Sequence, residues 1–173
     1  TIEADDRVIL SGLNNPEGLG TGAFSAVGEN ARGNAGGVSV LANSLEMRDG
    51  AQLNVSTLGQ GNAGILTVEV SDTVLLISTF ALSLVGENAG GNAGGVSILA
   101  DSLEVRDGAQ LNSMTAGQGN AGTVTVEAND RVIFAGVNPE GVPSAGLTTM
   151  LDTGQGNAGG LSIVANSLEL RDG

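Results

Sequence analysis

Apolar and polar residues alternate one by one along short stretches of this chain. Val38, Val40 and Ala42 share one phase, and after a break Leu45 and Met47 do the same. A period of two is typical of a β-strand, and the Gly, Asn and Asp residues between such stretches are typical of tight turns. No segment has the period of an amphipathic helix, so the pattern predicts an all-β protein built from short strands.

A tetrapeptide, Gly-Asn-Ala-Gly, divides the chain into repeated units. It begins at Gly33, Gly61, Gly91, Gly119 and Gly156, at intervals of 28, 30, 28 and 37 residues. Segments 33–54 and 91–112 are identical at 19 of 22 positions, whereas the segments that begin at Thr1, Thr67 and Thr125 share a second pattern. Two kinds of unit therefore alternate. Both chain ends fall inside a unit, so we expect residues 1–173 to be one array excerpted from a longer one.

The unit length predicts how the strands are arranged. A unit of about 28 residues has room for roughly three short strands, and stacked units pair each strand with its equivalents at about 4.8 Å. Pro16, Pro139 and Pro143 fall in segments that lengthen two units, where proline, which cannot donate to a strand ladder, is tolerated. The sequence therefore predicts a parallel β-helix, or β-solenoid, of about five to six turns.

Stacking would place equivalent asparagines in one column. This column consists of Asn34, Asn62, Asn92, Asn120 and Asn157. We expect each side-chain amide to bond to its neighbours in a structural asparagine ladder, and the adjacent glycines to permit the dihedral angles of the corner. A ligand site formed by these residues is the remote alternative.

Two outward columns explain why the repeat is a pair of units. The first runs Glu3, Leu41, Glu69, Leu99, Glu127, Val164, and the second runs Ile9, Glu46, Leu75, Glu104, Ile133, Glu169. In both, an acid alternates with an aliphatic residue, which keeps like charges off adjacent strands. Arg48, Arg106 and Arg171 share the face of the second column. The columns are interpreted either as a solvated ladder or as a lateral contact surface.

Composition excludes several classes of function. The chain has 29 glycines, 19 acidic residues, six arginines, no Cys, His, Trp or Tyr, and a net charge of −13. A disulfide framework, a Cys/His metal site and His-based catalysis are excluded, and an acidic chain repels nucleic acid. We expect no cofactor. No apolar run is long enough for a membrane span in this segment, and 40% hydrophobic content argues against disorder.

The carboxylates do not suggest an enzyme. Asp49, Asp107 and Asp172 each precede a turn glycine, where aspartate is expected for turn chemistry. A catalytic site is a local departure from a repeat, whereas these acids belong to the repeat. Weak calcium binding by Asp5 and Asp6, or by the acids of the loops, stays an open alternative.

Two insertions are the candidate partner-binding loops. They span Asn14–Gly22 and Val137–Gly146 and share the tetrapeptide Asn-Pro-Glu-Gly. The candidate binding residues are Asn15, Pro16, Glu17, Asn138, Pro139 and Glu140. Loops on a regular scaffold commonly carry function.

The repeated strings resemble a known family. Units of the form GNAGGVSVLANSLEMRDGAQ, alternating with TVEANDRVIFAG, are similar to the repeats of filamentous haemagglutinin-like exoproteins of two-partner secretion systems, a type frequent in cyanobacteria. The resemblance implies a right-handed parallel β-helix, an extracellular or cell-surface location, and a role in adhesion or matrix. It carries over no functional residues.

The sequence leaves two functions open. The first is a structural or adhesive segment, a stalk or fibre, that self-associates end to end through exposed strand edges and contacts surface glycans or matrix. The alternative is a carbohydrate-binding or polysaccharide-degrading β-helix that acts through carboxylates in the insertion loops.

Overall fold

The computed structural model describes residues 1–12 and 20–173, and these residues form only strands and their connections. The strands are β1 (Ile2–Glu3), β2 (Arg7–Ser11), β3 (Gly22–Val27), β4 (Val38–Ala42), β5 (Ser44–Arg48), β6 (Gln52–Thr57), β7 (Leu66–Val70), β8 (Thr73–Ile77), β9 (Phe80–Val85), β10 (Val96–Arg106), β11 (Gln110–Thr115), β12 (Val124–Ala135), β13 (Ala145–Met150), β14 (Leu161–Val164) and β15 (Ser167–Arg171). The predicted all-β class is confirmed. Within this described part no helix is present that could cross a membrane.

All pairs between these strands are parallel, and each joins a strand to its equivalent in the next unit. A ten-stranded sheet contains two rows: the first is β1, β4, β7, β10, β12, β14, and the second is β2, β5, β8, β10, β12, β15. A separate five-stranded sheet forms the third row, β3, β6, β9, β11, β13. Strands that follow one another in the chain therefore lie in different rows.

Two units depart from the expected three separate strands. β10 and β12 each run through both the first and the second row, with a register shift between Ala100 and Ser102 where the strand passes from one row to the other. Asp130 lies inside β12, close to this passage. β10 and β12 pair with each other on both sides of this point, whereas their outer neighbours (β7 and β8, β14 and β15) are separate strands.

The core lies between the three rows. Val40 of the first row, Leu45 and Leu103 of the second and Leu53 of the third belong to one cluster and are almost wholly buried. Their polar neighbours in the same strands are more exposed, which is the predicted period of two. Phe134 also faces this core.

Inward serines of the third row close the glycine-rich corners. Ser83 Oγ accepts hydrogen bonds from the backbone N–H groups of Gly94 (3.1 Å) and Gly95 (3.2 Å). Ser113 Oγ accepts one from Gly122 (2.8 Å) in the same way. These buried hydroxyls satisfy backbone donors that no strand partner reaches, and so they tie the third row to the corner that leads into the first.

Candidate partner-binding surfaces

The asparagine column is present, with a different donor from the one expected. Asn62, Asn92, Asn120 and Asn157 each donate a backbone N–H to the side-chain Oδ1 of the asparagine one unit earlier, at 2.8–2.9 Å. Among the described residues, a bond between side-chain amides is added only between Asn157 and Asn120. Each asparagine side chain therefore bonds to the next asparagine of the column, mainly to its backbone N–H and not to its side-chain amide. The side chain instead satisfies the corner's backbone donors, which is a structural role.

The two outward columns have the predicted register. Glu69 stands between Leu41 and Leu99, and Glu104 stands between Leu75 and Ile133, as Cα partners on adjacent strands. One expectation about exposure is wrong, because Ile133 is only 8% exposed. It is the Cα partner of Glu104, with which Arg106 and Arg131 form ion pairs.

Arginines pair with the acids of the second column. Arg48 lies 2.9 Å from Glu46, and Arg171 lies 3.2 Å from Glu169. Glu104 is contacted twice, by Arg106 at 2.8 Å and by Arg131 of the next unit at 3.0 Å. Partial burial by itself would raise the pKa of the Glu104 carboxyl, but the hydrogen bonds and charges of Arg106 and Arg131 outweigh it and leave the pKa below its ordinary value.

The lowered pKa of Glu104 predicts a pH dependence. A carboxyl whose pKa is lower in the folded chain stabilises it above the unfolded-state pKa, and this contribution is lost as pH falls through the folded-state pKa. The free energy of unfolding, measured by urea titration, should fall as the pH is lowered from about 5 to 3. We expect this fall to be smaller in Glu104→Gln than in the wild-type chain, by at most about 1 kcal/mol. Glu127→Gln is the control, since Glu127 is in none of the ion pairs between described residues. Equal flattening by both variants would contradict the assignment.

The insertion at Val137–Gly146 begins with a short hydrogen-bonded hairpin. Val137 and Pro143 form an antiparallel bridge, and Asn138 Oδ1 accepts hydrogen bonds from the backbone N–H groups of Glu140 (3.1 Å) and Val142 (2.8 Å). This Asx turn explains the asparagine of the Asn-Pro-Glu-Gly motif. Asn15, Pro16 and Glu17, the predicted binding residues of the other insertion, lie outside the described residues.

The hairpin forms one wall of a cleft at the corner between the second and third rows. The cleft has a volume of about 490 Å³ and is lined by Asp49, Gly50, Ser78, Phe80, Gly108, Asn138, Pro139 and Glu140. Three of the predicted loop residues thus line the same cleft. The Phe80 ring offers an apolar contact, and Asp49 and Glu140 offer hydrogen-bond acceptors, a combination suited to a hydroxyl-rich ligand.

Sequence reasoning did not identify Asp49 and Phe80 as neighbours of this loop. Asp49 was expected only as a turn residue, and its left-handed backbone (φ 56°) agrees with that role. The three segments come from different units, and only the direction in which the hairpin folds brings them together. The hairpin is not part of the repeated pattern, so the alignment of the units does not predict the direction in which the hairpin folds.

The outer face of the third row was also missed. Its outward side chains are Gly22, Phe24 and Ala26 on β3, Gln52, Asn54 and Ser56 on β6, Phe80, Leu82 and Leu84 on β9, Gln110, Asn112 and Met114 on β11, and Ala145, Leu147 and Thr149 on β13. All five strands lack charged residues, although the chain carries a net charge of −13. A count of charges for each strand position would have revealed this face.

Within residues 1–12 and 20–173, no cluster of three or more acidic side chains forms a group that could hold a metal ion. Comparisons with family models, with curated proteins and with solved structures find no match to this chain.

Proposed function

We propose that this chain is a non-catalytic segment of an extracellular β-solenoid, a right-handed parallel β-helix that serves as a stalk or fibre. The observation that carries the proposal is the pairing of strands: in all three rows, each strand pairs in parallel with its equivalents in the neighbouring units. Pairing only between equivalents is what a stack of repeats requires. The acids of the outward columns recur with the repeat, which supports a structural role for them.

End-to-end association is supported by the strands at the last unit. β14 and β15 pair with β12 on one side, and no other described strand covers their second edge. Leu168 and Leu170 are 50% and 68% exposed there, whereas their equivalents Val132 and Phe134 are buried. An open strand edge with exposed core residues is a template on which another chain can pair. We propose that β1 and β2 of a second copy pair with β14 and β15 at this edge.

The outward columns support this register. With β1 stacked on β14 and β2 on β15, Val164 would meet Glu3 and Glu169 would meet Ile9, so that acids and aliphatic residues continue to alternate. Arg7 would then lie beside Glu169, in the relation that Arg131 has to Glu104. The third row has one strand fewer than the other two rows, so a strand is missing from that row where two copies meet. The contact between copies is therefore weaker than the contact between neighbouring units of one chain.

The extracellular location and the adhesive role rest on the resemblance of the repeats to filamentous haemagglutinin-like exoproteins. The absence of cysteine agrees with a chain that is exported unfolded. Surface glycans or matrix are proposed as further partners, with the cleft beside Asn138 and Glu140 as their contact site.

Electron microscopy of the purified chain at high concentration, in neutral buffer without added metal, tests the proposal. We expect thin unbranched fibres with an axial repeat near 4.8 Å. Discrete short particles at every concentration would contradict end-to-end association. A glycan array with the wild-type chain and a Glu140→Gln variant would then test the alternative function, carbohydrate binding at the cleft.

A further inference from the structure

We propose that the open edge of the third row, along β13, is a strand-addition site that binds an extended, uncharged peptide segment. The third row ends at β13, whereas the first and second rows continue to β14 and β15, so no described strand pairs with β13 on that side. The site is present in a single chain. The inference therefore goes beyond end-to-end stacking of copies and does not depend on it.

The edge of β13 presents regularly spaced backbone groups. Ala145 and Leu151 donate their N–H groups to carbonyl oxygens of the preceding unit, at 3.1 Å and 2.8 Å. Because successive residues of a strand turn their backbone groups to alternate sides, Gly146, Thr148 and Met150 present N–H and carbonyl groups to the open side. A segment that lies parallel to β13 satisfies these groups by the same ladder that joins the other strands of the row.

An apolar cavity lies beside this edge, at the end of the core. It has a volume of about 370 Å³, and its lining includes Gly146, Leu161 and Leu170. Leu161 and Leu170 are 49% and 68% exposed. Their equivalents in the unit of β10, Val96 and Val105, are buried in the core cluster, and that unit has a third-row strand, β11. A strand at the open position would likewise remove the two leucines from water, which favours binding.

The inward column of the third row specifies a leucine at the open position. The column reads Ala23, Leu53, Ala81, Leu111, Gly146, so that small residues and leucines alternate on adjacent strands. Gly146 has no side chain, and a leucine on the added strand occupies the cavity beside it. Both leucines belong to the string Arg-Asp-Gly-Ala-Gln-Leu-Asn, whose first three residues recur at 171–173, next to the cavity. The occupant is therefore a peptide of the Ala-Gln-Leu-Asn type.

The adjoining corner extends the site. Asn157 is the last residue of the asparagine column and donates its N–H to Asn120 Oδ1 at 2.9 Å. An added strand that is followed by Gly-Asn-Ala-Gly would place its own asparagine N–H at Asn157 Oδ1 in the same way. Residues 109–123 have both parts, a third-row strand and a corner, and they carry no charge. A peptide of this sequence is therefore not repelled by a chain of net charge −13.

Calorimetric titration of the full chain with an end-capped synthetic peptide of residues 109–123 tests the site. The titration uses concentrations at which sedimentation shows only monomers, and we expect one peptide to bind to each chain. Because the peptide is uncharged, its affinity should change less than about twofold between about 0.01 M and 0.15 M salt. The absence of binding up to about 1 mM peptide would overturn the proposal.

Methylation of single backbone nitrogens in the peptide tests the pairing with β13. In the chain, the Gln110 N–H donates to the Thr79 carbonyl oxygen of the preceding unit. In the bound peptide the N–H at the Asn112 position therefore faces β13, and the N–H at the Ser113 position faces away. We expect N-methylation at the Asn112 position to weaken binding at least about tenfold, and N-methylation at the Ser113 position to leave it within about threefold. Equal effects would overturn the proposed pairing.

Two substitutions at Gly146 test whether the cavity receives the peptide leucine. Gly146→Leu fills the space that this leucine needs, and we expect the affinity to fall at least about tenfold. Gly146→Ala is the matched control. Its Cβ would lie 3.2 Å from Leu161 Cδ1, the end of a side chain that can move, so the affinity should stay within about threefold. Binding by Gly146→Leu that equals the wild type would overturn the cavity as the site.

The outcomes separate this inference from the proposed function. Fibres of a chain that does not bind the peptide would overturn the strand-addition site and leave end-to-end association intact. Peptide binding by a chain that stays monomeric at every concentration would support the site and contradict end-to-end association.

Discussion

Replacement of Gly64 by alanine is expected to lower the free energy of unfolding by about 3 kcal/mol or more, or to prevent folding. A Cβ at this position would lie 2.0 Å from the carbonyl oxygen of Gly36, the equivalent residue of the preceding unit. The obstacle is backbone, which no rotamer change can move. The two units would have to separate at this corner, where the Asn62 N–H donates to Asn34 Oδ1 and the Ala35 N–H donates to the Asn62 carbonyl oxygen.

Gly36→Ala is the matched control for this prediction. Gly36 has the same place in the repeat, but its nearest neighbour would be Ser25 Oγ at 3.6 Å, an ordinary contact. Neither glycine has a left-handed backbone, so conformational strain does not distinguish them. We expect Gly36→Ala to change stability by less than about 1 kcal/mol. Urea unfolding followed by far-UV circular dichroism measures both, and equal losses would show that the stacking contact is not the cause.

The repeat made the strand register predictable from sequence. Once the units were aligned, each residue had a defined partner, and Glu104 could be placed between Leu75 and Ile133 without coordinates. The same alignment identified the asparagine column. It could not identify the donor, because a backbone N–H and a side-chain amide are both within reach of a neighbouring Oδ1, and only the corner geometry selects between them.

Strand boundaries were less predictable because neighbouring strands determine them. Segments 33–54 and 91–112 differ at three positions. The first nevertheless has two separate strands, β4 and β5, at the positions where the second has the single strand β10. β10 is flanked by β12, which is itself continuous, and the two bond along almost their whole length. A local pattern that is nearly identical in two units cannot encode this difference.

The cleft and the uncharged face were missed for different reasons. Asp49, Phe80 and Glu140 belong to different units, and the fold of one insertion brings them together. That contact is a property of a non-repeated segment. The uncharged face was present in the sequence as five segments without acids or arginines, and it becomes a surface only when the third row is assembled.

Replacement of Leu103 by alanine is expected to lower the free energy of unfolding by about 3 kcal/mol. Leu103 is fully buried at the middle of a column of inward residues, with Val74 on one side and Val132 on the other. Neighbouring units hold both partners in place, so the structure cannot collapse around the missing side chain. The loss therefore includes a cavity as well as the transfer of the removed atoms to water.

Leu168→Ala is the control. Leu168 has the same position in the repeat as Leu103 but a different burial, so the comparison shows which of the two determines the loss of stability. Leu168 pairs with Val132 but is 50% exposed, so truncation creates no closed cavity, and we expect a loss below about 1 kcal/mol. Urea midpoints at low concentration, where copies do not associate, compare the two variants. If copies stack end to end, the effect of Leu168→Ala grows with protein concentration while that of Leu103→Ala does not, since only Leu168 would then gain a covering strand. Equal losses at low concentration would mean that the last unit is covered already in the isolated chain.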